Sequence, residues 1–207
     1  MKISRHFFVL ICLIIFSTNS YADSPTFTYA EVEYITNGDF FVSDDDLTVD
    51  LGLDGFALNL SAELGIILIQ ASRFELESSQ ILGSNLEDNI STFALGLTFE
   101  FPRTSVYGLA RVRRDELSLV GGGFDEDEQG TTIGFEAGVR FNLTNSIELN
   151  ANLGRPSPTE GSSLGVGAQY FITNNIGITL DFSSIEVEDG ELEAQFDTTS
   201  IGLRYNF

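Results

Sequence analysis

Thr92-Phe93-Ala94-Leu95-Gly96-Leu97-Thr98-Phe99-Glu100-Phe101 decides the fold. Phe93, Leu95, Leu97, Phe99 and Phe101 fall on one parity, and Thr92, Ala94, Gly96, Thr98 and Glu100 on the other. Successive side chains of a strand point to opposite faces, so the stretch predicts a strand with one apolar wall and one polar wall. Residues 131–142 repeat the pattern, with Ile133, Phe135, Ala137, Val139 and Phe141 against Thr132, Gly134, Glu136, Gly138, Arg140 and Asn142. The C-terminus repeats it again, as Thr199, Ile201, Leu203, Tyr205 and Phe207 alternate with Ser200, Gly202, Arg204 and Asn206.

Working outward, the alternation predicts ten strands, near 26–36, 55–64, 66–77, 90–101, 104–116, 131–143, 147–155, 162–172, 176–187 and 196–207. Each is close to the 9–11 residues that a tilted strand needs to cross a bilayer. Around Gln70 and Ser72 the apolar parity slips, which suggests a bulge or a split strand. In the first strand Phe27 and Tyr29 share a face with Glu31 and Glu33. Links alternate in length. Tight ones occur at Leu64-Gly65, Pro102-Arg103, Thr144-Asn145 and Thr173-Asn174-Asn175, and longer ones at 37–54, 78–89, 117–130, 156–161 and 188–195.

Residues 1–22 read as a secretory signal peptide. Lys2 and Arg5 precede the apolar run Phe7–Phe16, and Ser20-Tyr21-Ala22 offers small residues to a peptidase. The run is too short to span a bilayer, which takes roughly 20 residues. The expected division is therefore a leader, 1–22, and a barrel domain, 23–207. The leader carries every Lys, His, Cys and Met of the sequence, and there is no Trp. Without it, 31 acidic residues stand against 8 arginines, a formal charge of −23. Such a charge repels polyphosphate, so no nucleic-acid partner is expected. Nor does the remaining chain offer a thiolate or imidazole metal ligand, or a catalytic histidine. No catalytic, cofactor-binding or metal-binding residue is assigned.

In hydrocarbon a backbone finds no water, and a closed barrel is the sheet without an open edge. The polar parity carries charge at mid-strand: Glu31, Glu63, Glu100, Arg111, Arg113, Glu136, Arg140, Glu148, Asp181 and Arg204. A soluble lipocalin-like barrel would enclose the apolar face instead. Three features favour lipid outside: a nearly continuous apolar face, aromatics toward strand ends (Tyr34, Phe56, Phe101, Tyr107, Phe141, Tyr170, Tyr205) and a last strand ending in Phe207. The fold class is thus all-β, a closed antiparallel up-and-down transmembrane barrel of ten strands, with eight as the alternative. Short turns face the periplasm and long links the exterior.

The chain resembles the small outer-membrane β-barrel proteins of Gram-negative bacteria, in the OmpA-like and opacity-protein class. The resemblance rests on Asp54-Gly55-Phe56-Ala57-Leu58, Leu95-Gly96-Leu97-Thr98-Phe99, Gly138-Val139-Arg140-Phe141, Gly167-Ala168-Gln169-Tyr170-Phe171 and Gly202-Leu203-Arg204-Tyr205-Asn206-Phe207. It implies outer-membrane localisation, lipid and lipopolysaccharide as surroundings, and assembly machinery that reads the strand ending in Phe207. Omptin proteases, lipid A palmitoyltransferases and outer-membrane phospholipases resemble the same architecture, and all rely on a histidine base. Its absence after the leader points to a non-enzymatic protein. Its expected role is structural or surface-interacting, in adhesion or envelope integrity, with a narrow porin-like passive channel through a Glu/Arg lumen as the alternative. The acidic runs Asp44-Asp45-Asp46 to Asp50 and Asp125-Glu126-Asp127-Glu128 lack a full calcium-loop spacing and suggest weak divalent-cation binding only.

Overall fold

A computed structural model describes residues 25–44, 47–78, 84–121, 124–155, 160–189 and 192–207. They form ten strands: β1 (Tyr29–Asp44), β2 (Leu47–Leu64), β3 (Ile67–Ser78), β4 (Ser84–Phe101), β5 (Thr104–Gly121), β6 (Phe124–Thr144), β7 (Ile147–Arg155), β8 (Glu160–Phe171), β9 (Ile176–Asp189) and β10 (Leu192–Asn206). Each pairs antiparallel with its chain neighbours, and β1 pairs with β10 to close the barrel. The closing seam runs from Tyr29↔Asn206 to Ser43↔Glu193. No sheet edge is left for lipid to meet.

The turns fall where the tight links were expected. Gly65 takes φ 66°, a left-handed conformation that glycine adopts without a Cβ penalty. Arg103, after Pro102, takes φ 64°. At the opposite end the strands run much further than the sequence reading allowed. Segments 37–54, 78–89 and 117–130, expected as loops, are largely strand. β6 has 21 residues, about 70 Å of extended chain. The expected spans stopped where apolar alternation stopped, but ladder hydrogen bonds continue past the membrane wherever water bathes both faces.

Two further expectations are corrected. No bulge occurs at Gln70 or Ser72. The β2–β3 and β3–β4 ladders run without a shift, and the irregularities lie at Ile35/Asn37 and at Asn142/Thr144. The parity slipped because β3 is apolar on both faces: Leu68 and Leu76 are buried inside while Ile67 is exposed outside. Tyr107, assigned to an interfacial girdle, points into the bore and packs on Phe27 with ring centroids 5.3 Å apart. The acidic runs 44–50 and 125–128 lie outside the residues whose side chains are described.

Outside, Phe93, Leu95, Leu97, Phe99 and Phe101 are all exposed, as are Val139, Phe141, Leu149, Leu153, Leu180 and Leu203. From Phe93 to Phe101 the chain covers about 27 Å, which at the usual tilt spans roughly 21 Å, close to the apolar band of an outer-membrane barrel. Charges at mid-band are therefore expensive. Leu97→Arg should lower unfolding free energy in phospholipid bilayers by about 2–4 kcal/mol, as read by urea titration, while Glu87→Arg beyond the band should change it by under about 1 kcal/mol.

Candidate functional site

The bore is divided lengthwise. One wall is greasy. Phe27, Leu68, Ala94 and Leu109 form a buried cluster with Tyr107 against it, and Ile35, Leu53, Leu76 and Ile90 form a second, with Phe40, Phe74 and Phe196. These residues belong to β1–β5, to β10 and to the segment before β1. The facing wall is ionic and comes from β6–β10 and β1, with Arg111 and Arg113 of β5 beside it. A cavity of about 320 Å³ lies between them, lined by Glu33, Phe74, Ile90, Arg111, Asn150 and Asp181 among others.

At the periplasmic end the N-terminal segment turns into the bore. Pro25 is buried and Phe27 is 1 % exposed. Ser105 Oγ donates to the Pro25 carbonyl (3.3 Å) and Arg140 Nη1 to the Thr26 carbonyl (2.6 Å). The backbone of this irregular segment thus finds partners that lipid would not supply. The Arg140 guanidinium also lies over the Phe27 ring, 4.8 Å from its centroid. Glu63 and Glu100, predicted on the inner parity, line an open groove at this mouth with Thr28.

Above the segment sits the ion-pair core. Arg140 Nε donates to Glu148 Oε1 (2.6 Å) and Arg204 Nη2 to Glu31 Oε2 (2.8 Å). All four residues are nearly fully buried, with exposures of 4, 1, 6 and 2 %. Arg204 Nη1 reaches Gln169 Oε1 (3.2 Å), and its guanidinium covers Tyr29 at 4.1 Å. Thr179 Oγ1 donates to Glu31 Oε1 (2.5 Å). Toward the outside, Arg111 pairs with Glu136 (2.6 Å), which also accepts from Tyr107 (3.0 Å). Arg113 pairs with Asp115 (2.6 Å).

Glycines make room for these large groups. A Cβ at Gly202 would strike Thr179 and lie 2.9 Å from Glu33 Cγ, and one at Gly167 would strike Asp181 and Asn150. This alternation of small and bulky inward residues fits a bore packed by its own side chains.

Glu31, Glu33 and Asp181 bring carboxylate oxygens within 4.8 Å of one another. Donors from the barrel already hold them. Asn59 and Ser200 donate to Glu33, and Asn150 Nδ2 to Asp181 Oδ1 (3.2 Å). Five arginines (Arg111, Arg113, Arg140, Arg155 and Arg204) and four carboxylates (Glu31, Glu33, Glu136 and Asp181) line the cavity, so ionic groups of both signs face it.

The predicted inner set is thus brought to one side of the sheet. Sequence reading placed Tyr29 on the face of Glu31 but missed the neutral partners Asn59, Tyr107, Asn150, Thr179 and Ser200, although each shares the parity of a predicted charge, and Gln169, whose strand carries no predicted charge. Removing one member of a buried pair strands the other. Arg140→Met should therefore cost about 3–5 kcal/mol in urea unfolding, and adding Glu148→Leu should recover part of that loss.

The outer membrane protein β-barrel domain family has a profile that matches residues 8–160. Among solved structures, the outer membrane protease OmpT from Escherichia coli is similar, with TM-score 0.61, 11 % identity, and 86 % of this chain and 96 % of that chain covered. The translocator domain of the autotransporter NalP from Neisseria meningitidis gives TM-score 0.52 and 11 % identity, covering 98 % of this chain and 94 % of that one. The neisserial surface protein NspA gives TM-score 0.48 and 13 % identity, covering 86 % and 96 %. At these identities the likeness concerns the fold. No curated protein matches the chain in sequence. By the span of its family match, this chain belongs to the outer membrane protein β-barrel domain family and resides in the outer membrane.

Proposed function

We propose that this protein is a non-enzymatic barrel with a closed bore, whose role lies in its wall and its projecting hairpins: envelope integrity or adhesion. The observation that carries the reading is the packing of the bore. Phe27 and the ion-pair core occupy its periplasmic half, and Ile35, Leu53, Leu76 and Ile90 with three phenylalanines crowd the outer half. A ten-stranded bore offers little room beyond its own side chains. The hairpins, by contrast, are built to project. Beyond Arg114 and Thr131, β5 and β6 stay paired through Gly121↔Phe124, about 25 Å further along the strands. Their sequence there is dominated by acids, including Glu116 and Asp125 to Glu128.

The only histidine of the sequence is His6, within the proposed leader, so the described residues include no imidazole to serve as a general base. This supports the non-enzymatic reading. Three further roles belong to the same proposal: removal of residues 1–22 on export, recognition of the strand ending at Phe207 by the assembly machinery, and loose divalent-cation binding by the acidic hairpins.

The cavity, lined by ionic groups of both signs, favours a second reading, a narrow passive channel. Planar bilayers separate the two. The refolded wild-type protein should leave the baseline conductance unchanged at neutral pH. Discrete, reproducible steps would overturn the closed-bore reading and establish the channel.

A further inference from the structure

The outward parity of β3–β6 carries two arginines at its outer rim. Arg73 on β3 and Arg114 on β5 are both exposed, with more than half of each side chain accessible. Both pair in register with the same residue of β4, since Arg73↔Ser91 and Ser91↔Arg114. The row continues to Thr131 on β6. The two arginines therefore flank Ser91 on one hydrogen-bonded row, two strand spacings or roughly 10 Å apart at the backbone.

This row is also where the apolar band ends. Immediately inward, the outward-facing residues of the four strands are Ala71, Phe93, Val112 and Ile133. Immediately outward they are Glu75, Asn89, Glu116 and Gln129. Short turns at the opposite end place this rim in the outer leaflet. The arginines thus stand at the depth where hydrocarbon gives way to headgroups. A phosphate at that depth is partly desolvated, and a guanidinium fork binds its oxygens bidentately.

The local charge arrangement points the same way. Arg73 pairs with Glu75 at 3.1 Å, and Arg114 with Glu116 at 3.0 Å and with Gln129 at 3.0 Å. These partners all lie on the water side of the row. They draw the guanidinia to the headgroup level and leave the apolar side of each fork facing lipid. Exposed pairs of this kind are weak, about 0–1 kcal/mol, so a phosphate can compete for the same donors.

We infer that Arg73, Ser91 and Arg114 form a binding site for the phosphate of an outer-leaflet glycolipid headgroup, with Ala71, Phe93, Val112 and Ile133 receiving its acyl chains. The site sits on the outside of the barrel and is independent of what the bore does. It gives a strongly acidic protein a local means of holding anionic lipid.

The test is native mass spectrometry of the refolded full barrel in detergent, with bis-phosphorylated lipid A and its dephosphorylated form as competing probes. The wild-type protein should retain the phosphorylated form at least tenfold better, and R73Q/R114Q should lose that preference while keeping its heat-shifted gel migration. E75Q/E116Q, which frees both guanidinia, should raise the preference several-fold, and this arm stands even if the arginine variant does not refold. Equal retention of both lipids by wild type and E75Q/E116Q overturns the site. If millimolar inorganic phosphate abolishes the preference, the site is one for free anions and the lipid assignment falls.

Discussion

Everything in this barrel follows from the absence of hydrogen-bond partners in hydrocarbon. A strand in lipid must give both its edges to other strands, and the pairing of β1 with β10 satisfies the last edge. Once the sheet closes, the alternation of side chains does the sorting. The outward parity must be apolar over the bilayer depth. The inward parity is released from that requirement and can hold charge, provided the charges find one another.

They do so unevenly. The arginines at 140 and 204 each serve a buried carboxylate and an aromatic face, and Arg140 also holds the carbonyl of Thr26. Such pairs offset their own desolvation better as their remaining polar atoms find partners, and Thr179 and Gln169 take up part of that capacity around Glu31 and Arg204. On the other wall the same inward parity is filled with Leu, Ile and Phe, whose burial against each other needs no partners at all. The bore is therefore half ion-pair network and half hydrophobic core. This division explains how a chain with so many acids packs its bore.

Much of this was legible in the sequence, because parity is a one-dimensional signal. Ten strands, tight turns on one side and the inner set from Glu31 to Arg204 follow from counting every second residue. Failures came where a second signal overrode parity. Tyr107 was assigned by its position near a strand end, although it shares the parity of Arg111 and Arg113. Leu68, Phe74 and Leu76 looked like a slip of register because a polar lumen was assumed, whereas the bore has an apolar wall of its own. Strand ends beyond the membrane were missed because alternation there has no apolar component. The position of Pro25–Phe27 inside the mouth depends on closure in three dimensions, and the sequence showed only that Phe27 shares a face with Glu31. The row joining Arg73 to Arg114 required the register of three strands.

The central claim is that the apolar parity meets lipid and the ionic parity is enclosed. Cys12 is the sole cysteine of the sequence, so on a Cys12→Ser background single-cysteine variants report cleanly on each face. Fluorophores attached at Ala94→Cys, Leu95→Cys, Leu97→Cys and Thr98→Cys can be read in bilayers containing a lipid-borne quencher. The account predicts strong quenching at 95 and 97 and weak quenching at 94 and 98. Equal quenching at all four positions, or the reverse alternation, would contradict it.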